Sequence, residues 1–304
     1  MIELDQGLTE VMRANEKVIA LFAGQGSGTD GLRSTEAGQR VISLDCDPRH
    51  LVGIATGMGV YGLYPVAHLK QEDLLSGAFV ELYGSAAQIR YRSGGQYMAP
   101  MATVVTYREH LSLEPLLLQV PGLRVLAPSN HLDYMNLLEQ AALDPDPVVF
   151  FVPEKWMELE PAMQAIWEEQ IGPKQAKVVR AGESISLVAY GKLTELALQV
   201  AAKLAEEEKS IEVIDLRSLS PIDFDTVIAS VKKTGRLVVL QDSPRSYGVG
   251  AEIAARVSEA AIESLLAPIR RVAAFDAPNP GALESIVHPD AESLSHVLRN
   301  LTDF

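Results

Sequence analysis

Cysteine is almost absent from this chain: Cys46 stands alone among 304 residues. One thiol excludes a disulfide framework within the chain, so the expected setting is reducing and cytoplasmic. Positive charge is also scarce. Lys and Arg number 26 against 40 Asp and Glu, a formal net charge of −14. Neither a general nucleic-acid surface nor an anionic-membrane surface is expected, because both need concentrated cations. No apolar run reaches the roughly 18 to 20 residues that cross a bilayer. The opening Met1-Ile2-Glu3-Leu4-Asp5 is acidic, where a secretory leader is basic and then apolar, so no signal peptide is expected. His68, His131 and His288 have no Cys or acidic partner at ligand spacing, which argues against a histidine-based metal site. Cys46 lies between Asp45 and Asp47, negative surroundings that disfavour a thiolate nucleophile.

What is present is an ordinary globular composition, 47% apolar and 22% charged, in a chain long enough for two domains. Leu8, Val11 and Met12 fall on one face of a helix expected over 6–16. The wholly apolar Val18-Ile19-Ala20-Leu21-Phe22 reads as a buried parallel strand, and 41–45 reads as a second. A glycine-bearing helix is expected between His50 and Gly62, a strand from Tyr64, a long helix over 72–91, and strands at 123–127 and 147–151. After a connection at 153–177 the alternation resumes. It gives strand 184–190, helix 193–208, strand 211–215, helix 223–233, strand 236–241, helix 249–265 and strand 269–274. Repeated alternation of this kind implies α/β architecture, with mostly parallel sheets flanked by helices. The expected division is a first domain over 1–152, a linker over 153–177 and a second domain over 178–304.

Three local features admit two readings. Gly26-Ser27-Gly28-Thr29-Asp30-Gly31 follows a strand and matches the glycine spacing of a dinucleotide loop. The polar stretch from Leu32 to Arg40 is short for the helix that motif needs, so a plain loop is the alternative. Arg90, Arg92 and Ser93-Gly94-Gly95 suggest either an anion site or the end of a helix, with arginines against its dipole and glycines stopping it. Asp144 and Asp146 fit either a cation site or a capped turn.

The run Arg90-Tyr91-Arg92-Ser93-Gly94-Gly95-Gln96 is followed by Val120-Pro121-Gly122-Leu123-Arg124-Val125-Leu126-Ala127-Pro128-Ser129 and by Asp144-Pro145-Asp146-Pro147-Val148-Val149-Phe150. In the C-terminal half stand Asp215-Leu216-Arg217-Ser218-Leu219-Ser220-Pro221-Ile222-Asp223 and Val231 to Val239. Gly248 to Ile253 and Ala267 to Val272 come after them. In this order the runs resemble the beta subunit of the decarboxylating component of 2-oxoacid dehydrogenase complexes, of the pyruvate and branched-chain types. The resemblance covers nearly the whole chain. It implies a transketolase-like pyrimidine-binding domain followed by a transketolase C-terminal domain. It also implies thiamine diphosphate with Mg²⁺ at an interface with an alpha-type partner, and self-association across a beta–beta interface. Gly-Asp-Gly, which the partner uses to hold the diphosphate, does not occur in this sequence.

The resemblance also marks where the cofactor's pyrimidine ring would lie, and there the sequence departs from the family. The family's essential Glu, in Ile-Ser-Glu-x-Gly-Phe-x-Gly, falls on Pro48, leaving Asp47 as the candidate acid. The loop after the first strand lacks the family's acidic pair and leaves Gln25 as a candidate cofactor contact. Leu74 stands where the family packs an aromatic side chain on the pyrimidine. His110 lies one position late relative to the family's His-Ser-Gln-Ser-Leu-Glu, with Glu109 in its place. Asp144 and Asp146 fall where the family holds a monovalent cation, mainly through backbone carbonyls. Two functions follow, an active beta-like subunit of a 2-oxoacid dehydrogenase or transketolase-type enzyme, or a scaffold or regulatory subunit that keeps the fold without activating the cofactor. A dinucleotide-binding protein is a third, resting on the glycine match alone.

Overall fold

The structure, a computed structural model, describes residues 2–24, 29–107, 112–156, 164, 166–167, 171–277 and 287–302, with side chains of the first helix described from residue 7. The chain divides into two compact units, Met1–Arg108 with Leu116–Pro173, and Glu109–Pro115 with Lys174–Phe304. The short Glu109–Pro115 segment goes with the second unit, an assignment that no composition change along the chain signals.

In the first unit, α1 (Ile2–Ala14) buries Leu8, Val11 and Met12 as their spacing predicts. Six strands follow: β1 (Val18–Ala23), β2 (Val41–Leu44), β3 (Tyr64–Lys70), β4 (Ala102–Tyr107), β5 (Arg124–Leu126) and β6 (Val148–Pro153). They lie side by side in the order β5-β6-β4-β3-β1-β2. Every pairing among them is parallel. β4 and β6 are buried almost throughout, as central strands covered on both faces must be. The core joins Val18, Ala20, Val66, Val104 and Phe150 to Tyr134, Leu137 and Leu138 of α3 (His131–Ala141). Asn130 starts α3 by accepting the Asp133 amide at 3.0 Å, an N-cap bond.

Helix α2 (Pro48–Tyr61) connects β2 to β3. Its entry is set by Asp47 as N-cap and Pro48 at the first helical position, where a missing N–H costs nothing. Gly62 ends it with φ 99°, and Leu63 N–H returns to the Met58 carbonyl, the paired bonds of a Schellman motif. Gly59 lies where a Cβ would meet the Pro100 carbonyl at 2.7 Å, so close backbone approach requires glycine there.

The long helix expected over 72–91 is interrupted. Helical turns run from Gln71 to Arg92, but Leu74–Ala78 and Leu82–Ala86 are wider π-type turns, and Gly77 has φ 134°. The apolar spacing carries the helical path but not these insertions, which add a residue locally without altering residue type.

The second unit has its own sheet: β7 (Lys177–Arg180), β8 (Ile185–Ala189), β9 (Ile211–Asp215), β10 (Leu237–Pro244) and β11 (Arg270–Ala274). The order is β11-β10-β8-β9-β7, parallel except for β7, which pairs antiparallel with β9 at the edge. Helices α4 (Leu193–Ala205), α5 (Phe224–Thr234), α6 (Val249–Ala261) and α7 (Ala291–Thr302) accompany it. Among the described residues no helix is long and apolar enough to cross a membrane.

Candidate functional site

Strand order locates the crevice. From β1 the chain moves to β2 on one side, whereas β3 lies on the other side of β1 and leads away to β4. In open parallel sheets ligands collect at the carboxyl ends of strands where the order reverses, because the flanking connections part there. Here that point is the end of β1 beside the end of β3, where Phe22 pairs in register with His68.

Phe22 and His68 stack, with ring centroids 4.4 Å apart and planes 12° from parallel. His68 keeps a solvent-facing edge, but its Nε2 is sealed from solvent and has no hydrogen-bond partner among the described residues. Burial lowers its pKa to about 4, so the imidazole is neutral at physiological pH. A sealed ring nitrogen without a partner costs about 1–3 kcal/mol, which makes it a candidate ligand contact. Ligand spacing along the chain gives His68 no special place. The available signal was one polar ring in an otherwise apolar strand, in register with the aromatic end of its neighbour.

Beyond β1, Gly24 adopts φ 78° and its N–H bonds the Leu44 carbonyl at 2.7 Å, turning the chain out of the sheet. Gln25 and the glycines that follow lie outside the described residues. The helix after that loop, Asp30–Arg33, has four residues, too few for the packed helix a dinucleotide motif requires. His110 and Glu109 also lie outside the described residues.

Asp47 caps α2. Its carboxylate accepts the His50 amide at 2.9 Å and meets His50 Nδ1 at 2.8 Å. The backbone hydrogen bond from His50, more than any other cause, holds its pKa below the ordinary carboxylate range. Asp47 is thus ionised and exposed. Pro48 follows it inside the first turn and carries no acid. Cys46 is partly buried, and that burial, with Asp47 and Asp45 adding, raises its thiol pKa. Leu74 is buried in the first π-type turn beyond β3.

Asp144 and Asp146 lie in a separate cluster. Asp146 accepts Arg90 Nη1 at 2.7 Å and Arg124 Nη2 at 3.2 Å. Asp144 pairs with Arg124 Nε at 2.5 Å and accepts the Asp146 amide at 3.0 Å. Two carboxylates thus meet two guanidiniums, and the three recurring runs at 90–96, 120–129 and 144–150 are joined through one network. Arg90 holds Asp146 from an exposed position in the helical turn that precedes Ser93-Gly94-Gly95. Any monovalent cation at Asp144–Asp146 would rest on backbone carbonyls, since both carboxylates already hold arginine. Among the described residues no group of three His, Cys, Asp or Glu side chains could hold a metal ion.

The fold and crevice define the class. Residues 4–158 match the family described as "Transketolase, pyrimidine binding domain", and residues 174–294 match "Transketolase, C-terminal domain". The pyruvate dehydrogenase E1 component subunit beta of Leifsonia xyli subsp. xyli is 34% identical, covering 97% of this chain and 92% of that protein. Its Bacillus subtilis namesake is 33% identical, covering 98% of each. The mitochondrial 2-oxoisovalerate dehydrogenase subunit beta of Dictyostelium discoideum is 32% identical, over 94% of this chain and 82% of its own. A solved structure titled "Split gene transketolase, inactive beta4 tetramer" shares the fold at TM-score 0.83 and 21% identity, covering 99% of this chain and 97% of its own. The chain belongs to the family of 2-oxoacid dehydrogenase E1 beta subunits, built from the two transketolase domains.

Proposed function

We propose that this chain is the beta-type subunit of a thiamine-diphosphate-dependent 2-oxoacid dehydrogenase, acting with an alpha-type subunit in a cytoplasmic setting. One observation carries the reading: similarity to pyruvate dehydrogenase beta subunits extends over 97–98% of the chain and includes the pyrimidine-binding domain. The partner would hold the diphosphate and Mg²⁺. This chain's part is the aminopyrimidine. The strand ends suit a neutral nitrogen-bearing ring, since His68 is uncharged and its Nε2 is unmatched.

Thiamine diphosphate, when bound, supplies the carbanion-stabilising ring on which a 2-oxoacid is decarboxylated. Asp47 provides the ionised acceptor for a pyrimidine N–H, at the start of α2 rather than one residue inside it. Leu74 gives apolar contact, and Gln25 orients the ring through its amide. His110 holds a proton for a substrate oxygen, the usual task of an imidazole near neutral pH. A monovalent cation at Asp144–Asp146 would stiffen the turn that supports the network.

Exposed apolar side chains support the assembly. Ile54, Val60 and Tyr61 on α2, with Leu75, Val80, Tyr83 and Tyr91 along the interrupted helix, leave large hydrophobic groups in solvent. Such groups mark subunit contacts, both to the partner and across a beta–beta interface. The acidic balance of the chain supports neither nucleic acid nor membrane as a partner.

One observation favours a second reading. Pro48 at the place of the family acid suits a scaffold subunit that keeps the interface and has lost cofactor activation. Co-purification with the alpha subunit, then calorimetric titration of thiamine diphosphate with Mg²⁺ and an assay of CO₂ release from pyruvate or a branched 2-oxoacid, tests both. Saturable binding with turnover that falls in Asp47→Asn is the expected outcome. Binding without turnover supports the scaffold, and absence of binding overturns the proposed cofactor role.

A further inference from the structure

The second unit holds a cavity of about 300 Å³ lined by Arg245, Arg270, Arg271, His296, Val297, Asn300 and Leu301. Three arginines line it in a protein whose net charge is −14. Among the described residues none of the three makes a salt bridge. Arg271 uses one of its five N–H donors on the Arg245 carbonyl at 2.8 Å. Asp276 is an acid that feels Arg245 and Arg271, and its oxygens are already engaged by Ser246 N and Oγ at 2.9 and 2.6 Å. Among the described residues the guanidiniums therefore have donors to give and no carboxylate paired with them.

The plain alternative is that β11, as the edge strand of its sheet, carries arginines to discourage pairing with another edge. That accounts for Arg270 and Arg271. It does not account for Arg245, which comes from a different loop, or for the matching face of α7. Residues 296, 297, 300 and 301 are one turn apart and share one side of that helix. His296 and Asn300 bond each other at 2.9 Å across it. Val297 and Leu301 form an apolar wall. The helix end is fixed because Arg236 Nε donates to the Leu301 carbonyl at 3.0 Å. The C-terminal end of α7 carries roughly half a negative charge, which three full positive charges outweigh.

We propose that this cavity is a binding site for a small phosphorylated ligand, with the guanidiniums holding a phosphate or diphosphate and Val297 and Leu301 packing the remainder. Guanidinium forks match phosphate oxygens bidentately, and the volume suits a small ligand. The site lies wholly in the second unit and stands whether or not the first unit binds thiamine diphosphate.

Inorganic pyrophosphate is the probe, titrated calorimetrically into the full chain and into the complex with its alpha partner, at constant ionic strength set with chloride. Wild type is expected to bind saturably with Kd below about 1 mM. Arg270→Gln, at an exposed position, is expected to weaken binding about tenfold, and Arg270→Glu to abolish it. Arg13→Gln at the end of α1 leaves it unchanged. Phosphate binding as tightly as pyrophosphate would identify a monophosphate ligand within the same site. Unsaturable binding by wild type, or equal affinity in wild type and Arg270→Gln, overturns the proposal. Melting curves of each variant separate loss of the site from loss of the fold.

Discussion

Around Asp146 the four charged groups of Arg90, Arg124, Asp144 and Asp146 meet one another, whereas at the ends of β1 and β3 the sealed Nε2 of His68 meets no partner among the described residues. Both clusters lie in the first unit and both are polar. The network is matched in number and sign, and its side chains are largely buried, at 13–20% exposure for Arg124, Asp144 and Asp146. Its charges balance one another, although Arg124 Nε lies against Asp144 without the alignment of a hydrogen bond. The strand-end cluster has no such charge partner among the described residues. A stabilising arrangement balances its own charges, and a binding arrangement leaves a polar atom for a guest.

The sharpest way to break this contrast is to unmatch the network. Arg124→Met strands the part-buried Asp144 and leaves Asp146 with Arg90 alone, and the expected loss is about 3 kcal/mol, read as an earlier first unfolding transition in urea. A loss below about 1 kcal/mol would place the network with ordinary surface charge and dissolve the comparison. The next effect comes from pH. The folded pKa of His68 is about 4 against an ordinary 6.5. As pH falls below 6.5 the unfolded chain therefore binds a proton that the folded chain refuses until about 4. Stability is held above 6.5 and declines through that window, by about 2 kcal/mol between pH 7 and pH 5. His68→Phe should flatten this part of the slope and stabilise the chain near neutrality. An identical slope in wild type and variant would show that His68 is solvated. The smallest effect separates cap from chemistry at Asp47. Asn replaces Asp well as an N-cap and Ala does not. Asp47→Ala should lower the melting temperature slightly while Asp47→Asn does not, and both should weaken thiamine diphosphate binding by the α–β complex. If only Asp47→Ala weakens binding, the carboxylate has no role beyond starting the helix.

Much of the fold was legible. The second unit follows its apolar alternation within a few residues, because each strand there is a short β-branched run between amphipathic helices. In the first unit β4 and α3 were also readable. Ala102-Thr103-Val104-Val105-Thr106-Tyr107 is β-branched, and Asn130 caps a helix with Tyr134, Leu137, Leu138 and Ala141 at helical spacing. The elements expected from the sequence include neither. The π-type turns around Gly77 were not readable, since their cause is backbone hydrogen bonding. The site was less accessible than the fold. Residue type alone marks Pro48 as a departure, but only strand order brings Phe22 to His68, residues 46 positions apart that meet through the register of β1 and β3. The arginine cavity is likewise a product of topology, drawing Arg245, Arg270 and His296 from three separate elements.

Gly122 turns with φ 88°, and a Cβ there would overlap the Ala87 carbonyl. The Pro-Gly-Leu turn is therefore held by steric exclusion beneath the interrupted helix, far along the chain from the residues proposed to touch cofactor. In a library selected only for soluble, folded protein, position 122 should stay glycine and position 74 apolar, while positions 47 and 48 drift. In a library selected for turnover all four should narrow. The two libraries would then separate what this lineage keeps in order to fold from what it keeps in order to react.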